Sequence, residues 1–329
     1  MHRLALLSFL SISCSFPCIA AAPARLSPEA INSAELSSPR AETNRAVIAK
    51  AEILLDRRRF SPGEIDGSDG ENFRHALAAF QSTEELQPTG KLDQSTWAQL
   101  QKGDSEKVIV EYTINEKDLR GPFVRKIPRK MEQQAELDAL NYTSPLELLA
   151  ERFHMSQALL KALNPGKSFD EADTVISVAN VGGTGTAERS ERAAKVEVDK
   201  QSHDVRALAQ DGKLLAFYPA SVGSEEKPAP SGTLKVAKVA KDPTYTYNPK
   251  YHFKGVHAKT KFTIKPGPNN PVGVVWIALT GEGYGIHGTP DPDKVGKAAS
   301  HGCIRLTNWD AIDLSSKVER GTPVTFLDQ

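Results

Sequence analysis

Cysteine is nearly missing from this chain of 329 residues: it has three, and Cys14 and Cys18 both fall in an apolar N-terminal leader. Once such a leader is cleaved, Cys303 is the last cysteine, so a disulfide framework within the mature chain is excluded and an exported thiol of this kind points to a nucleophile. Net charge is missing too. The 41 Lys and Arg residues cancel the 41 Asp and Glu, which removes the electrostatic reason to expect nucleic acid or an anionic membrane as partner. Beyond the leader no apolar run is long enough to span a bilayer, so no stable membrane span is expected after cleavage.

The leader itself has a weakly basic start, Met1-His2-Arg3, an apolar run from Leu4 to Ala22, and Ala20 and Ala22 in a small-x-small cleavage pattern. Residues 1–22 are read as a secretory signal peptide and the protein as exported. A permanent anchor fits less well, because Pro17 and several serines interrupt the run. A lipoprotein fits less well again, because Ser11-Ile12-Ser13 before Cys14 lacks the expected leucine.

What is present falls into segments. Residues 23–43, rich in Ala, Ser, Pro and Glu without apolar period, are expected to be a flexible tether. Over 44–102, Val47, Ala51, Leu54 and Leu55 recur at helical spacing, Gly63, Asp66-Gly67 and Asp69-Gly70 punctuate a loop, and Phe73, Leu77 and Phe80 form a second helix face. A third short helix follows, with Asp93 as N-cap and Trp97 and Leu100 inward. This predicts a small all-α three-helix module. Pro62-Gly63-Glu64-Ile65-Asp66-Gly67, Ala78-Ala79-Phe80-Gln81, Thr89-Gly90-Lys91-Leu92-Asp93 and Thr96-Trp97 resemble the peptidoglycan-binding module of cell-wall enzymes, which implies wall polymer as a partner.

Residues 108–180 read as strand, two helices and strand: Val108 to Ile114, then the faces of Leu146, Leu149, Ala150 and Phe153 and of Leu159, Leu160 and Leu163, then Val175 to Val178. Asn164-Pro165-Gly166 stops the second helix. This α+β order is similar to LysM glycan-binding modules, although the long insertion from Lys117 to Leu140 departs from them; a spacer is the alternative. A Gly/Thr-rich linker is expected over 181–194. From 195 to 329 the alternating runs Lys195 to Asp199, Asp204 to Leu208, Lys213 to Tyr218 and Thr233 to Val236 predict a mostly-β domain. A hairpin turn at Gln210-Asp211-Gly212-Lys213, one short helix near Asn308 to Val318 and a closing strand at Pro323 to Leu327 complete it.

Chemistry concentrates in this last domain. His287, His301 and Cys303 are potentially reactive, and a thiol beside an imidazole is a recurring nucleophile pair because the base takes the proton that otherwise keeps the sulfur neutral. Gly302 lets the backbone approach closely, so the Cys303 amide and a neighbour could form an oxyanion hole. The alternatives are a structural His–Cys pair, a zinc site and a redox-sensing thiol. The zinc reading lacks evident carboxylates around the histidines and the usual paired ligand spacing, and the redox reading lacks a resolving cysteine. The proposed chemistry requires no cofactor and no metal.

Tyr284-Gly285-Ile286-His287-Gly288-Thr289 and Ser300-His301-Gly302-Cys303-Ile304-Arg305, preceded by Pro266-Gly267-Pro268-Asn269-Asn270-Pro271-Val272-Gly273, resemble the bacterial L,D-transpeptidase (YkuD-type) catalytic domain over about Lys195 to Leu327. The resemblance implies a β-sandwich-like fold, Cys303 as nucleophile, His287 as its base and the Gly288 carbonyl orienting that imidazole. Ser300, His301, Gly302, Tyr284 and Arg305 would shape the substrate pocket; many members carry asparagine where Arg305 stands, and the Thr289-to-Ala299 loop is slightly short. It further implies a peptidoglycan stem tetrapeptide as donor, release of D-alanine, and a Cys303 thioester resolved by an amine. A second stem would give a 3-3 cross-link and an envelope-protein lysine would give protein anchoring. Such an enzyme is periplasmic or wall-associated. The alternatives are a wall carboxypeptidase or endopeptidase that transfers to water, and a non-catalytic peptidoglycan-binding protein.

Overall fold

The structure, a computed structural model, describes residues 26–37, 44–182, 191–223, 228–251, 258–297 and 302–327. The expected signal peptide, residues 23–25 and 38–43 of the expected tether, residues 183–190 of the expected linker, and Ser300 and His301 lie outside them. No helix among the described residues is long and apolar enough to cross a membrane.

The first described segment departs from the tether expectation. Ser27 accepts from the Ala30 amide at 3.1 Å and Pro28 occupies the first turn, so helix α1 (Pro28–Asn32) begins with a side-chain cap and a preset φ. Its Ile31 is fully buried. Asn32 both donates to and accepts from the backbone of Ile109, each at 2.9 Å, and Lys50 Nζ donates to the Ala34 carbonyl at 2.8 Å. The segment is docked because three buried apolar residues, Ile31, Ala34 and Leu36, and a few matched polar groups outweigh a composition that, averaged, looks unstructured.

Helices α2 (Arg45–Arg57), α3 (Glu71–Thr83) and α4 (Gln94–Gln101) follow as the apolar spacing predicts, with Asp93 accepting from the Thr96 amide to cap α4. Strand β1 (Ile109–Thr113), short helices α5 (Glu116–Leu119) and α6 (Met131–Gln134), helices α7 (Pro145–Arg152) and α8 (Gln157–Leu163), and strand β2 (Val175–Ala179) make the next unit. β1 and β2 pair antiparallel, Ile109 opposite Ala179. The two N-terminal units are not separate: one apolar cluster runs from Ile31 through Leu55, Phe80 and Trp97 to Ile109, Leu160 and Val178. Phe217 of the third unit joins the same cluster.

The mostly-β unit contains β3 (Lys195–Asp199), β4 (Asp204–Leu208), β5 (Leu214–Pro219), β6 (Ser221–Val222), β7 (Gly232–Lys241), β8 (Tyr245–Tyr247), β9 (Phe262–Ile264), β10 (Val275–Leu279), β11 (Gly285–His287), β12 (Ile304–Arg305), helix α9 (Asn308–Lys317) and β13 (Pro323–Leu327). A nine-stranded sheet runs β5-β4-β3-β13-β7-β10-β11-β12-β6. The long strand β7 pairs with β13 through Gly232 to Lys235 and with β10 through Val236 to Lys241, so it joins two halves. Both halves feed one core, in which Val196, Val205 and Phe326 meet Ile277, Ile286 and Ile304, with Ala311 and Leu314 of α9. The closing strand lies inside the sheet, parallel to β3.

Candidate active site

The sheet brings the two motif histidine and cysteine segments side by side. β11 and β12 pair parallel, with Ile286 opposite Ile304 and His287 opposite Arg305, and Cys303 immediately precedes β12. Alternation puts Ile286 and Ile304 into the core, both about fully buried. Cys303 is half-buried, stands as a thiol rather than half of a disulfide, and its Sγ lies 3.5 Å from the Gly283 carbonyl. Gly302 before it has φ +95°, a left-handed conformation that a side chain would strain.

His287 is far more constrained. It is 5% exposed, its ring stacks on Trp276 of the neighbouring strand with centroids 5.3 Å apart, and its carbonyl accepts from the Leu306 amide at 2.8 Å. Gly285 permits that stack, since a Cβ there would come within 2.5 Å of the Trp276 ring. His287 Nδ1 lies 2.6 Å from the Gly288 carbonyl. A carbonyl only accepts, so Nδ1 carries the proton and Nε2 presents a lone pair. Burial, reinforced by the Arg305 cation, pushes the imidazole down to about 3, which keeps it neutral at physiological pH.

Arg305 is half-buried, and its Nε is buried with no hydrogen-bond partner among the described residues. Burial lowers its pKa, opposed by Asp291 and Cys303. Tyr284 is half-buried against the core of the β unit. Ser300 and His301 fall outside the described residues.

Several residues that sequence reasoning missed surround this pair. Tyr245 on β8 is close enough for the Cys303 charge to contribute, after burial, to raising its phenol pKa. Asn308, first residue of α9, packs under the Gly288 turn: a Cβ on Gly288 would fall 2.2 Å from Asn308 Oδ1, and one on Gly273 would fall 2.1 Å from the same atom. Asn308 Nδ2 donates to both carboxylate oxygens of Glu151 on α7, at 3.2 and 3.0 Å, and to the Pro268 carbonyl at 3.2 Å. The loop containing Pro266 to Gly273 is held by the same unit. Leu140 exchanges backbone bonds with Pro266 and Asn269, each at 2.8 Å, and Asn269 Nδ2 donates to Glu147 at 2.7 Å. The only readable sign of these contacts was Gly267, whose φ of +142° brings it so near Leu140 that a Cβ would sit 2.2 Å from the carbonyl oxygen.

From the other side, Asn72 of α3 donates to the Val295 carbonyl at 2.9 Å, on the loop between His287 and Cys303. Both N-terminal units therefore brace the walls of the site.

Comparison with known proteins gives the family. The L,D-transpeptidase catalytic domain family matches residues 193–326, and the family described as "Putative peptidoglycan binding domain" matches residues 44–100. A Bacillus subtilis protein named "Putative L,D-transpeptidase YqjB" is 32% identical over 139 residues, which cover 40% of this chain and 70% of that protein. "Putative L,D-transpeptidase YkuD" of Bacillus licheniformis is 28% identical over 55% of this chain and 92% of its own length. "Probable L,D-transpeptidase YbiS" of Escherichia coli is 28% identical over 57% of this chain and 61% of its own. The chain belongs to the L,D-transpeptidase family. It is an L,D-transpeptidase with a peptidoglycan-binding domain, and its association is with the cell wall.

Proposed function

We propose that this enzyme cleaves the L,D bond of peptidoglycan stem tetrapeptides with Cys303 as nucleophile and His287 as base. The observation that carries the reading is the His287 geometry: Nδ1–H donates to the Gly288 carbonyl, which leaves Nε2 as acceptor on the strand that pairs with the Cys303 segment. The thiol proton passes to Nε2 as sulfur adds to the carbonyl between the third residue and the terminal D-alanine. The Cys303 amide, beside Gly302, stabilises the oxyanion. Collapse breaks the C–N bond, the leaving nitrogen takes the proton from the imidazolium, and D-alanine departs to leave a thioester. An acceptor amine then attacks and gives its proton to His287. Sulfur leaves as thiolate and takes that proton back.

Arg305, with its buried Nε left over, is suited to an anionic group of the substrate, and Tyr284, Ser300, His301 and Gly302 complete the pocket in this reading. The acceptor is an amine: a second stem would give a 3-3 cross-link, and a lysine of an envelope protein would give protein anchoring. The enzyme acts after export, in the periplasm or the wall. The LysM-like strand–helix–helix–strand unit adds glycan contact to that of the peptidoglycan-binding domain.

The test is product chromatography of purified enzyme with a disaccharide-tetrapeptide, with and without an added amine. Wild type is expected to release D-alanine and form dimers or amine adducts, and Cys303→Ala to lose about four orders of magnitude of both. D-alanine without any amine product would replace the transfer reading with a carboxypeptidase.

A further inference from the structure

The binding-module half of the chain meets the catalytic half where a tether would leave solvent. Glu151 sits on α7, in the unit between the peptidoglycan-binding helices and the β domain, and 157 residues separate it from Asn308. Its carboxylate is the acceptor for Asn308 Nδ2 and for the Tyr142 hydroxyl, at 3.3 Å. With Nδ2 so held, the amide of Asn308 is turned so that Oδ1 faces Gly273 and Gly288 and accepts from the Val274 amide at 3.3 Å. That contact leaves no space for a side chain on either glycine, so the Asn308 amide fixes where the Gly288 backbone lies. The Gly288 carbonyl in turn sets the imidazole of His287.

We propose that Glu151 is a positioning residue of the transpeptidase site, acting through Asn308 and the Gly273–Gly288 contact on the orientation of His287, so that the middle unit is a working part of the catalytic centre as well as a wall contact. The proposal rests on His287 as the base. Three features support it independently. Asn308 is 2% exposed and cannot exchange Glu151 for bulk water. Leu140, Asn141 and Glu147, from the same unit, grip Asn269, so the Gly273 side of the contact is held from the same direction. Placement of a base matters steeply, since an ångström of displacement costs about 100-fold in rate.

The experiment uses the full chain and a soluble tetrapeptide with a small amine, so that wall binding plays no part. Glu151→Gln retains an oxygen for Asn308 and is expected to keep kcat within about threefold. Glu151→Asp keeps a carboxyl but withdraws it by a methylene, and Glu151→Ala removes it; both are expected to lower kcat about 10- to 100-fold with KM within about twofold. The same two variants should slow iodoacetamide capture of Cys303 near neutral pH, a readout that loss of stability alone would not move below the unfolding transition. Glu151→Asp with wild-type kcat and wild-type thiol capture would overturn the proposal. It does so even if Glu151→Ala does not fold. His287→Gln and Cys303→Ala run in parallel: if either keeps full activity, the reading of the site has failed; if both are inactive while Glu151→Asp is normal, only the positioning role has failed.

Discussion

His287 and the seam between the units are both buried and polar, yet they treat protons in opposite ways. Burial and the Arg305 cation keep the His287 imidazole neutral, with its pKa lowered to about 3. At the seam the groups that burial shifts most are carboxyls. Burial raises Glu64 to about 7, with Asp293 and Asp66 adding to the shift, and raises Glu151 and Asp310 to about 8. Asp310 accepts from Ser61 at 2.9 Å and Glu151 from Asn308 at 3.0 Å, so these two carboxyls are hydrogen-bonded across the junction. His154, near Asp56 at 3.1 Å and stacked on Trp309, belongs to the same seam, and Asp56 raises its pKa against the burial that lowers it. The comparison teaches that the environment of His287, the proposed base, keeps its imidazole free of a second proton, whereas the seam keeps protons on its acids.

The largest expected effect comes from removing the base. His287→Gln should lower kcat by about 10²- to 10⁴-fold while the fold, followed by circular dichroism, remains. A smaller loss would move the base function to another group.

Next is the contact beneath the base. Gly288→Ala drives a Cβ to 2.2 Å from Asn308 Oδ1. We expect about 1–3 kcal/mol less stability in urea unfolding and a parallel drop in kcat. Gly212→Ala, at a turn with nothing within 4 Å but φ of +86°, serves as the control, with a stability cost from backbone strain and unchanged kcat.

The smallest effect is the pH dependence of stability, and its two parts have opposite sign. A histidine with a depressed folded pKa binds its proton more readily when unfolded, so the His287 contribution is present above about pH 6.5 and is lost as pH falls toward 3. Carboxyls with raised folded pKa bind protons more readily when folded, so the Glu64, Glu151 and Asp310 contribution is present below about pH 4 and is lost as pH rises through 7 to 8. Urea midpoints across pH 4 to 9 should show Glu151→Gln flattening the alkaline decline and leaving the acid one. A flattened acid limb instead would reverse the assignment.

Legibility in sequence follows the same division. Cys303, His287 and Gly288 could be singled out because they lie in two short glycine-rich segments whose residue types suit a nucleophile and a base. The strand and helix runs were legible because period-2 and helical spacing survive in single windows. Glu151 and Asn308 could not be found, since neither has a local signal and their meeting depends on how two domains dock. The docking of 26–37 was legible in part: Ser27-Pro28-Glu29 is a helix-start pattern, but it was outweighed by the composition around it. The shared core of the two N-terminal units had no sequence signature, because a buried face looks the same whether its partner is in its own module or the next.

The measurement that tests the central claim most directly is the intact mass of the enzyme quenched within its first turnovers on disaccharide-tetrapeptide, followed by peptide mapping. The account predicts an adduct equal to the donor less D-alanine, on the peptide containing Cys303, in wild type and not in Cys303→Ala. An adduct on another residue, or D-alanine released at the wild-type rate by Cys303→Ala, would contradict it.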